Sequence, residues 1–246
     1  MPTTTHTPLT TVLFDLDGTL LPMDQDVFTK YYFGLLARKL APLGYEKESL
    51  IAAIWKGTGA MVKNDGSKPN EAAFWETFTK ITRPDAMDDM PVFEDFYRND
   101  FQQAKASCGF NPDAKKTVDE IKAMGLRVSL ATNPIFPAIA TESRIRWAGL
   151  EPEDFESYTT YENSSFCKPN PKYFEEVCKT LGVDPHECLM VGNDMDEDTP
   201  AASLGMRVFI LTDSLINKSG KSLDDFPHGG FGELMEHVRE LHGEIA

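Results

Sequence analysis

Residues 9–14 read Leu9-Thr-Thr-Val-Leu-Phe14, and Asp15-Leu-Asp17-Gly18-Thr19 follows directly. The first six residues are apolar or β-branched, which predicts a short buried strand. Gly18 and Thr19 are typical of a turn after that strand. The strand thus ends on two acidic side chains, and two acids beside a buried strand cost stability unless they have a partner. A functional role for Asp15 and Asp17 therefore explains the pattern better than a simple turn.

Apolar residues recur at helical spacing from about residue 26 to residue 107, as in Phe28, Tyr32 and Leu36. This pattern predicts about four aromatic-rich helices and no strand. Breaks are expected at residues 42–44, from Gly57 to Pro69, and at residues 83–84. We therefore predict a small helical domain over residues 23–107, inserted after the first strand.

Helices and apolar strands alternate in the rest of the chain. Strands are predicted at residues 126–131, 187–191 and 207–211, and helices at 113–124, 171–181 and 231–241. Such alternation is typical of a parallel sheet with helices on both faces. The predicted fold class is α/β, with a Rossmann-like three-layer parallel-sheet core over residues 1–22 and 108–246 and an inserted α-helical cap domain.

Polar side chains follow each of the first three predicted strands. Because ligands bind at the carboxyl ends of strands in an open parallel sheet, these side chains are the candidate site. A lysine precedes the helix at residue 171 in a Cys-Lys-Pro loop. The candidates are Asp15 and Asp17 after the first strand, Thr132 and Asn133 after the second, Asn193, Asp194 and Asp198 after the third, and Lys168.

The residue types of this set predict a chemistry. Converging carboxylates repel one another unless a cation lies between them, and hard oxygen ligands suit Mg²⁺. A lysine and a hydroxyl beside Mg²⁺ suit a phosphoryl group. Asp15 is placed to act as a nucleophile, and Asp17 to give and take a proton. Lys168 alone would be interpreted as a surface lysine, and only the joint pattern favours a site.

The chain resembles the haloacid dehalogenase superfamily of phosphatases. Asp15-Leu-Asp17-Gly-Thr19 resembles the first motif of that family and Ser129-Leu-Ala-Thr132-Asn133 the second. Lys168-Pro-Asn-Pro171 and Val191-Gly-Asn-Asp194-Met-Asp-Glu-Asp198 resemble the third and fourth. The resemblance implies that Asp15 attacks phosphorus and Asp17 is the general acid/base, with its main-chain carbonyl on the metal. It implies that Thr132 and Lys168 hold the phosphoryl oxygens, and that the helical insertion is a cap that closes over the substrate.

The fourth motif departs from the common family pattern at one position. Relatives commonly carry Asp directly after the glycine, where this chain has Asn193. The metal ligand is then Asp194, or Asn193 through its carbonyl oxygen. An anionic oxygen binds Mg²⁺ better than an amide oxygen, which favours Asp194. Asp198 belongs to the metal site as a group that orients a ligand.

The overall charge limits the classes of partner. The 246 residues carry 24 Lys and Arg against 39 Asp and Glu, a net charge of −15. Such a surface repels nucleic acid and anionic lipid, so neither partner is expected. The first twenty residues lack the pattern of a signal peptide, and no apolar run is long enough to span a membrane. The four cysteines show no metal or disulfide pattern, which favours the cytoplasm.

The predicted function is a Mg²⁺-dependent phosphomonoesterase acting on a small phosphorylated metabolite. Family members that cleave carbon–halogen or carbon–phosphorus bonds lack an aspartate at the position of Asp17. A phosphomutase and a non-catalytic phospho-ligand binder are the alternatives. Substrate choice is expected to lie in the cap, where Lys56, Lys63 and Asn64 are candidates to reach the leaving group.

Overall fold

A computed structural model describes residues 7–243. The first six and last three residues of the predicted core lie outside the described residues, and so does the start of the segment that lacks a signal-peptide pattern. Five parallel strands form one sheet in the order β2-β1-β3-β4-β5. All four residues of the central first strand are buried, as expected for a strand covered on both faces. The strands are β1 Thr11–Phe14, β2 Arg127–Leu130, β3 Cys188–Gly192, β4 Arg207–Leu211 and β5 His228–Gly229.

Alternate residues of β1 pack into two different cores. Val12 and Phe14 belong to the larger core on one face of the sheet, which includes Val118 and Val238. Leu13 points into the smaller core on the other face. This period-2 alternation gives the three layers predicted from the sequence, and the α/β fold is confirmed. The core helices are α5 Pro112–Ala123 and α6 Ala138–Trp147, then α7 Pro171–Leu181 and α8 Phe231–His242.

Four α-helices lie between β1 and the core helix α5. Asp24 begins the first of them, because its Oδ1 accepts the N–H groups of Asp26 and Val27 at 2.9 and 3.0 Å. The two connections to the core lie side by side, since Met23 pairs with Cys108 in an antiparallel bridge. The helices are α1 Gln25–Leu40, α2 Lys47–Val62, α3 Asn70–Ile81 and α4 Met90–Arg98, followed by a 3₁₀ segment at Asp100–Ser107.

The prediction of a loop from Gly57 to Pro69 is wrong for residues 57–62, which are helical. Helix α2 continues through Gly57 and ends at Val62, so only residues 63–69 form the connection. The glycine serves packing: a Cβ at position 57 would lie 2.6 Å from the Phe74 ring of α3. A helix can accept a glycine at a cost of about 1 kcal/mol, and here that cost allows two helices to approach closely.

The amino end of α3 is attached to the core. Asn70 is fully buried, and its N–H donates to the Ser164 carbonyl at 2.8 Å. Its Nδ2 donates to the Phe166 carbonyl at 3.2 Å. The next residue, Glu71, donates its N–H to the Tyr161 carbonyl at 2.8 Å. The inserted helices therefore contact the core at a point remote from both chain connections.

Membrane-spanning helices are not found in residues 7–243, where each helix is too short or too polar to cross a bilayer.

Candidate active site

The candidate residues meet at the carboxyl edge of the sheet, where β1 lies between β2 and β3. Asp15 directly follows β1, and its N–H donates to the Val191 carbonyl of β3 at 2.8 Å. Thr132 lies just beyond β2, and Asn193 directly follows β3. The chain leads from β1 to β2 on one side of it, and then back to β3 on the other side. Ligands bind at such a topological switch point in open α/β sheets.

Lys168 joins two of the predicted carboxylates. Its Nζ lies 2.9 Å from Asp15 Oδ1 and 2.7 Å from Asp198 Oδ1, and its side chain is wholly buried. Burial acts to lower the pKa of Lys168, but the two carboxylates outweigh burial and raise it well above its usual value. Lys168 is therefore a fixed positive charge beside Asp15, in the loop before α7.

Asp15 is buried and carries the most perturbed environment of the site. Burial raises the pKa of Asp15 to about 7, against the opposing charge of Lys168. Its second oxygen, Oδ2, accepts the Thr19 hydroxyl at 3.1 Å. A cation bound next to this carboxylate would favour the ionised, nucleophilic form.

Asn193 directly follows β3, and its side chain connects the loop after β1 to the loop after β4. Its Oδ1 accepts the Thr19 hydroxyl at 3.0 Å, and its Nδ2 donates to the Ser214 carbonyl at 2.7 Å. Gly18, at φ +87°, passes directly over it, and a Cβ there would lie 2.3 Å from Asn193 Nδ2. Both ends of the Asn193 amide thus hold the two loops together, which favours Asp194 over Asn193 as the metal ligand.

Asp194 and Asp198 differ in their free oxygens. Both oxygens of Asp198 are engaged, one by Lys168 and the other by the Asp194 N–H at 3.0 Å. Asp194 uses Oδ1 to accept the N–H groups of Asp196 and Glu197, at 2.7 and 3.1 Å. Its Oδ2 is the oxygen left for a ligand. Burial raises the pKa of Asp194, so a cation here would relieve an unfavourable charge.

The donor set fits Mg²⁺ when main-chain oxygen is included. Asp15 and Asp194 line the same cavity and supply anionic oxygens, which Mg²⁺ prefers. In residues 7–243, no three His, Cys, Asp or Glu side chains gather closely enough to hold a metal by themselves. The main-chain carbonyl of Asp17 and the substrate would complete the ligand set, in the way Mg²⁺ commonly keeps water and phosphate ligands.

An ion pair that the sequence did not predict fixes Asp17. Arg144 of α6 is 1% exposed and donates from Nη1 to Asp17 Oδ2. The Arg144 guanidinium also lies over the Phe136 ring, 4.4 Å from its centroid. Asp17 Oδ1 is buried and accepts no hydrogen bond from the described residues. One feature of the sequence could have identified Arg144. It lies four residues from Ala140 and four from Ala148, so the three share one helix face, and all three are buried.

Thr132 and Asn133 reach the cavity from the end of β2. The Thr132 carbonyl accepts the hydroxyls of Thr159 and Tyr173 at 2.6 and 2.8 Å, which holds the residue at the wall of the cavity. Asn133 Nδ2 donates to Glu197 Oε2 at 3.0 Å. Burial raises the pKa of Glu197 to about 7. Glu197 was not among the predicted site residues, although it lies inside the fourth motif.

The prediction that particular polar residues of α2 and the following loop face the substrate is wrong. Lys56, Lys63 and Asn64 are absent from the lining of the cavity above the catalytic residues. Lys56 and Lys63 are exposed, as long charged side chains usually are. Asn64 instead closes the connection to α3, donating from Nδ2 to the Lys68 carbonyl at 2.8 Å.

Comparison with known proteins identifies relatives of this chain. A family model described as haloacid dehalogenase-like hydrolase matches residues 9–205. Glyceraldehyde 3-phosphate phosphatase of Methanocaldococcus jannaschii is 30% identical over 132 residues, which are 53% of this chain and 57% of that protein. The chain therefore matches little more than half the length of that relative.

Two further matches cover more of the chain. Pyrophosphatase PpaX of Bacillus cereus is 25% identical over 189 residues, 76% of this chain and 75% of that enzyme. The crystal structure of a 2-haloacid dehalogenase from Pseudomonas syringae matches with a TM-score of 0.61 at 20% identity, over 94% of this chain and 99% of that one. The structural match concerns the fold alone.

Proposed function

Since the chain belongs to the haloacid dehalogenase-like hydrolases, we propose that it hydrolyses the phosphate monoester of a small metabolite, using Mg²⁺ and an aspartyl-phosphate intermediate. The observation that carries this proposal is Lys168 Nζ, buried 2.9 Å from Asp15 Oδ1 at the end of the central strand. A carboxylate held against a fixed cation suits attack on phosphorus and retention of a phosphoryl group. The two phosphatase relatives support the same reaction class.

In the first half-reaction an Asp15 oxygen attacks phosphorus, and the bond from phosphorus to the alcohol oxygen breaks. The departing oxygen needs a proton, which Asp17 supplies. Asp17 lines the cavity beside Asp15, and Arg144 donates to its Oδ2. The presence of this acid favours an oxygen leaving group over a halide, which needs no proton.

In the second half-reaction water attacks the phosphoryl group carried by Asp15. Asp17 takes a proton from the water, and the bond between phosphorus and the Asp15 oxygen breaks. Inorganic phosphate leaves, and both aspartates return to their starting states.

The remaining site residues hold the phosphoryl group. We assign the contacts with its oxygens to Lys168, Thr132 and Asn133. This is supported by Thr132 and Asn133 lining the cavity and by Lys168 lying between Asp15 and Asp198. Mg²⁺, held by Asp15, Asp194 and the main-chain carbonyl of Asp17, would supply positive charge for the phosphoryl oxygens.

The inserted helices are proposed to act as the cap domain over residues 23–107, because their side chains form the wall opposite the catalytic residues. We also propose that the enzyme works in the cytoplasm. The spacing of the four cysteines, which shows no disulfide or metal pattern, supports a reducing compartment. The net charge of −15 favours small substrates over nucleic acid or membrane surfaces.

The test is hydrolysis of p-nitrophenyl phosphate by the purified protein with Mg²⁺ and with a chelator. We expect turnover with the metal and its loss with the chelator. A second assay uses a panel of phosphorylated metabolites and follows phosphate release by phosphorus NMR. Release of inorganic phosphate supports the proposal, while phosphate that reappears at another position of the same substrate points to a phosphomutase. Absence of release from every compound by a folded, Mg²⁺-loaded protein would overturn it.

A further inference from the structure

The cavity above the catalytic residues has aromatic walls. Its volume is about 350 Å³, within the range of sites that hold ligands larger than a two- or three-carbon phosphate. The inserted helices, residues 135–137 and Tyr161 form the walls, and the proposed catalytic residues form the floor. The aromatic wall residues include Phe28, Tyr32, Trp55, Phe74, Phe136 and Tyr161.

Positive charge is missing from these walls. Among residues 7–243, no Lys, Arg or His side chain lines the cavity. The two cations closest to the site chemistry, Arg144 and Lys168, are buried and already paired with carboxylates. The floor adds the acids Asp194 and Glu197. A second anionic group on the substrate would therefore lose its water without gaining a partner, which is costly.

The polar groups of the walls are neutral. The Tyr32 and Tyr97 hydroxyls lie 3.0 Å apart and hydrogen-bond to each other. Burial raises the pKa of Tyr32 to about 12, so its hydroxyl is uncharged in the physiological range. Gln25, Thr29 and Thr58 add further polar wall groups, none of which carries a charge.

Part of the apolar wall faces solvent. Trp55 is 53% exposed and Val62 is 43% exposed, although both line the cavity. Trp55 is held in place by an edge contact with Phe33, with ring centroids 5.5 Å apart. An aromatic ring seated against Trp55 would bury apolar area and gain edge or stacking contacts. A small polar substrate would leave this surface bare.

We propose that the substrate is the phosphate monoester of an uncharged alcohol that carries an aromatic ring or an apolar group of similar size. This inference rests on the proposed phosphatase function and adds the chemical class of the leaving group. The phosphoryl group lies on the catalytic floor, and the ring lies between Trp55 and the walls formed by α1 and α3.

The test compares phosphate esters of primary alcohols, because their leaving groups differ little in intrinsic reactivity. The set is 2-phenylethyl phosphate, ethyl phosphate, phosphoglycolate and the 4-carboxyphenyl analogue of the first. We expect kcat/KM for 2-phenylethyl phosphate to exceed that for ethyl phosphate and phosphoglycolate by about a hundredfold or more. The added carboxylate should lower kcat/KM by about tenfold or more, because the walls offer it no cation.

Two variants locate the effect. Trp55→Ala should lower the ratio of kcat/KM for 2-phenylethyl phosphate to that for ethyl phosphate by about tenfold, mainly through KM. Tyr31→Ala is the matched control, since Tyr31 is also an exposed aromatic residue, at 44%, and lies outside the cavity lining. It should leave the ratio unchanged. An unchanged ratio in Trp55→Ala would overturn the placement of the ring.

Binding separates failure of this inference from failure of the proposed function. Calorimetry of the Mg²⁺-loaded protein with 2-phenylethylphosphonate and ethylphosphonate needs no turnover. Tighter binding of the phenyl compound supports the inference even if no ester is hydrolysed. In that case only the phosphatase assignment would be wrong. Hydrolysis that favours phosphoglycolate, or equal binding of the two phosphonates, would overturn the inference and leave the phosphatase function standing.

Discussion

The buried Arg144 forms an ion pair with the partly exposed Asp17, which joins α6 to the loop after β1. The arginine holds Asp17 Oδ2 and leaves Oδ1 without a hydrogen bond from the described residues. A carboxylate held by an arginine has a defined orientation, so Asp17 keeps a fixed position in the wall of the cavity that it lines. Arg144 is thus a positioning residue for the proposed acid/base.

Replacing Arg144 tests that role. Arg144→Gln should lower kcat by about tenfold or more with a smaller change in KM, because Asp17 loses its fixed orientation. Arg144→Lys should restore part of kcat, since lysine keeps the charge but not the planar fork. Arg146→Gln, two residues along α6 and exposed, is the control. Wild-type kcat in a folded Arg144→Gln protein would contradict the assignment.

Asp15→Asn should abolish turnover of p-nitrophenyl phosphate, with a loss of about a thousandfold or more, because the amide cannot form the acyl-phosphate. Initial rates in Mg²⁺ measure this. Asp26→Asn, which removes an exposed acid from the first turn of α1, serves as the control. The nucleophile assignment fails if the Asp15→Asn protein turns over at an undiminished rate.

The two residues after Gly192 should respond differently in Mg²⁺ titrations followed by calorimetry. Asp194→Asn should weaken Mg²⁺ binding by at least the roughly 10- to 100-fold that loss of an outer-shell partner costs. Asn193→Ala should mainly lower the melting temperature, because the Thr19 and Ser214 hydrogen bonds are lost. Unaltered Mg²⁺ affinity in Asp194→Asn would exclude Asp194 as a ligand.

Helix α2 offers a pair of glycines that separates packing from helix propensity. Gly57→Ala should lower the free energy of unfolding by about 1–3 kcal/mol, since its Cβ would meet the Phe74 ring at 2.6 Å. Gly59→Ala should raise it by about 0.5–1 kcal/mol, because no atom lies within 4 Å of the new Cβ. Urea unfolding measures both, and equal effects would refute the packing explanation.

Because of His237, the stability of the folded protein should depend on pH. Burial lowers the pKa of His237 below its usual 6.5, and its ring packs on Phe209 at 5.7 Å. The unfolded chain then binds the proton more readily, so this residue's contribution is complete above about pH 6.5 and is lost as the pH falls through the folded pKa. The melting temperature of His237→Gln minus that of the wild type should be larger at pH 5 than at pH 7.5. A difference that stays constant with pH would contradict this.

Local and periodic signals were enough to predict four of the five strands and the residues at their carboxyl ends, while the two-residue strand β5 was missed. The buried strand at residues 11–14, the acids at its end and the order of the motifs all follow from patterns within a few residues. Gly57 was misjudged because a glycine was interpreted by its local propensity, whereas Phe74 on another helix decides its conformation. Arg144 was missed because its partner, Asp17, lies 127 residues away in the sequence.

The cap contacts could not be predicted for the same reason. Lys56 and Lys63 were chosen by residue type, but the register of α2 turns them to solvent and puts Trp55, Thr58 and Val62 on the cavity wall. That register depends on how α2 packs against α3, which no local pattern specifies.

The buried Asn70 limits the mechanical freedom of the inserted helices. Besides the chain connections beside Met23 and Cys108, residues 90–107 pack against α6. Asn70 and Glu71 add a further attachment at the amino end of α3, through the carbonyls of Ser164 and Tyr161. Rotation of the inserted helices as one body would break these hydrogen bonds, so we expect substrate to enter through movements of helices or side chains relative to an anchored α3.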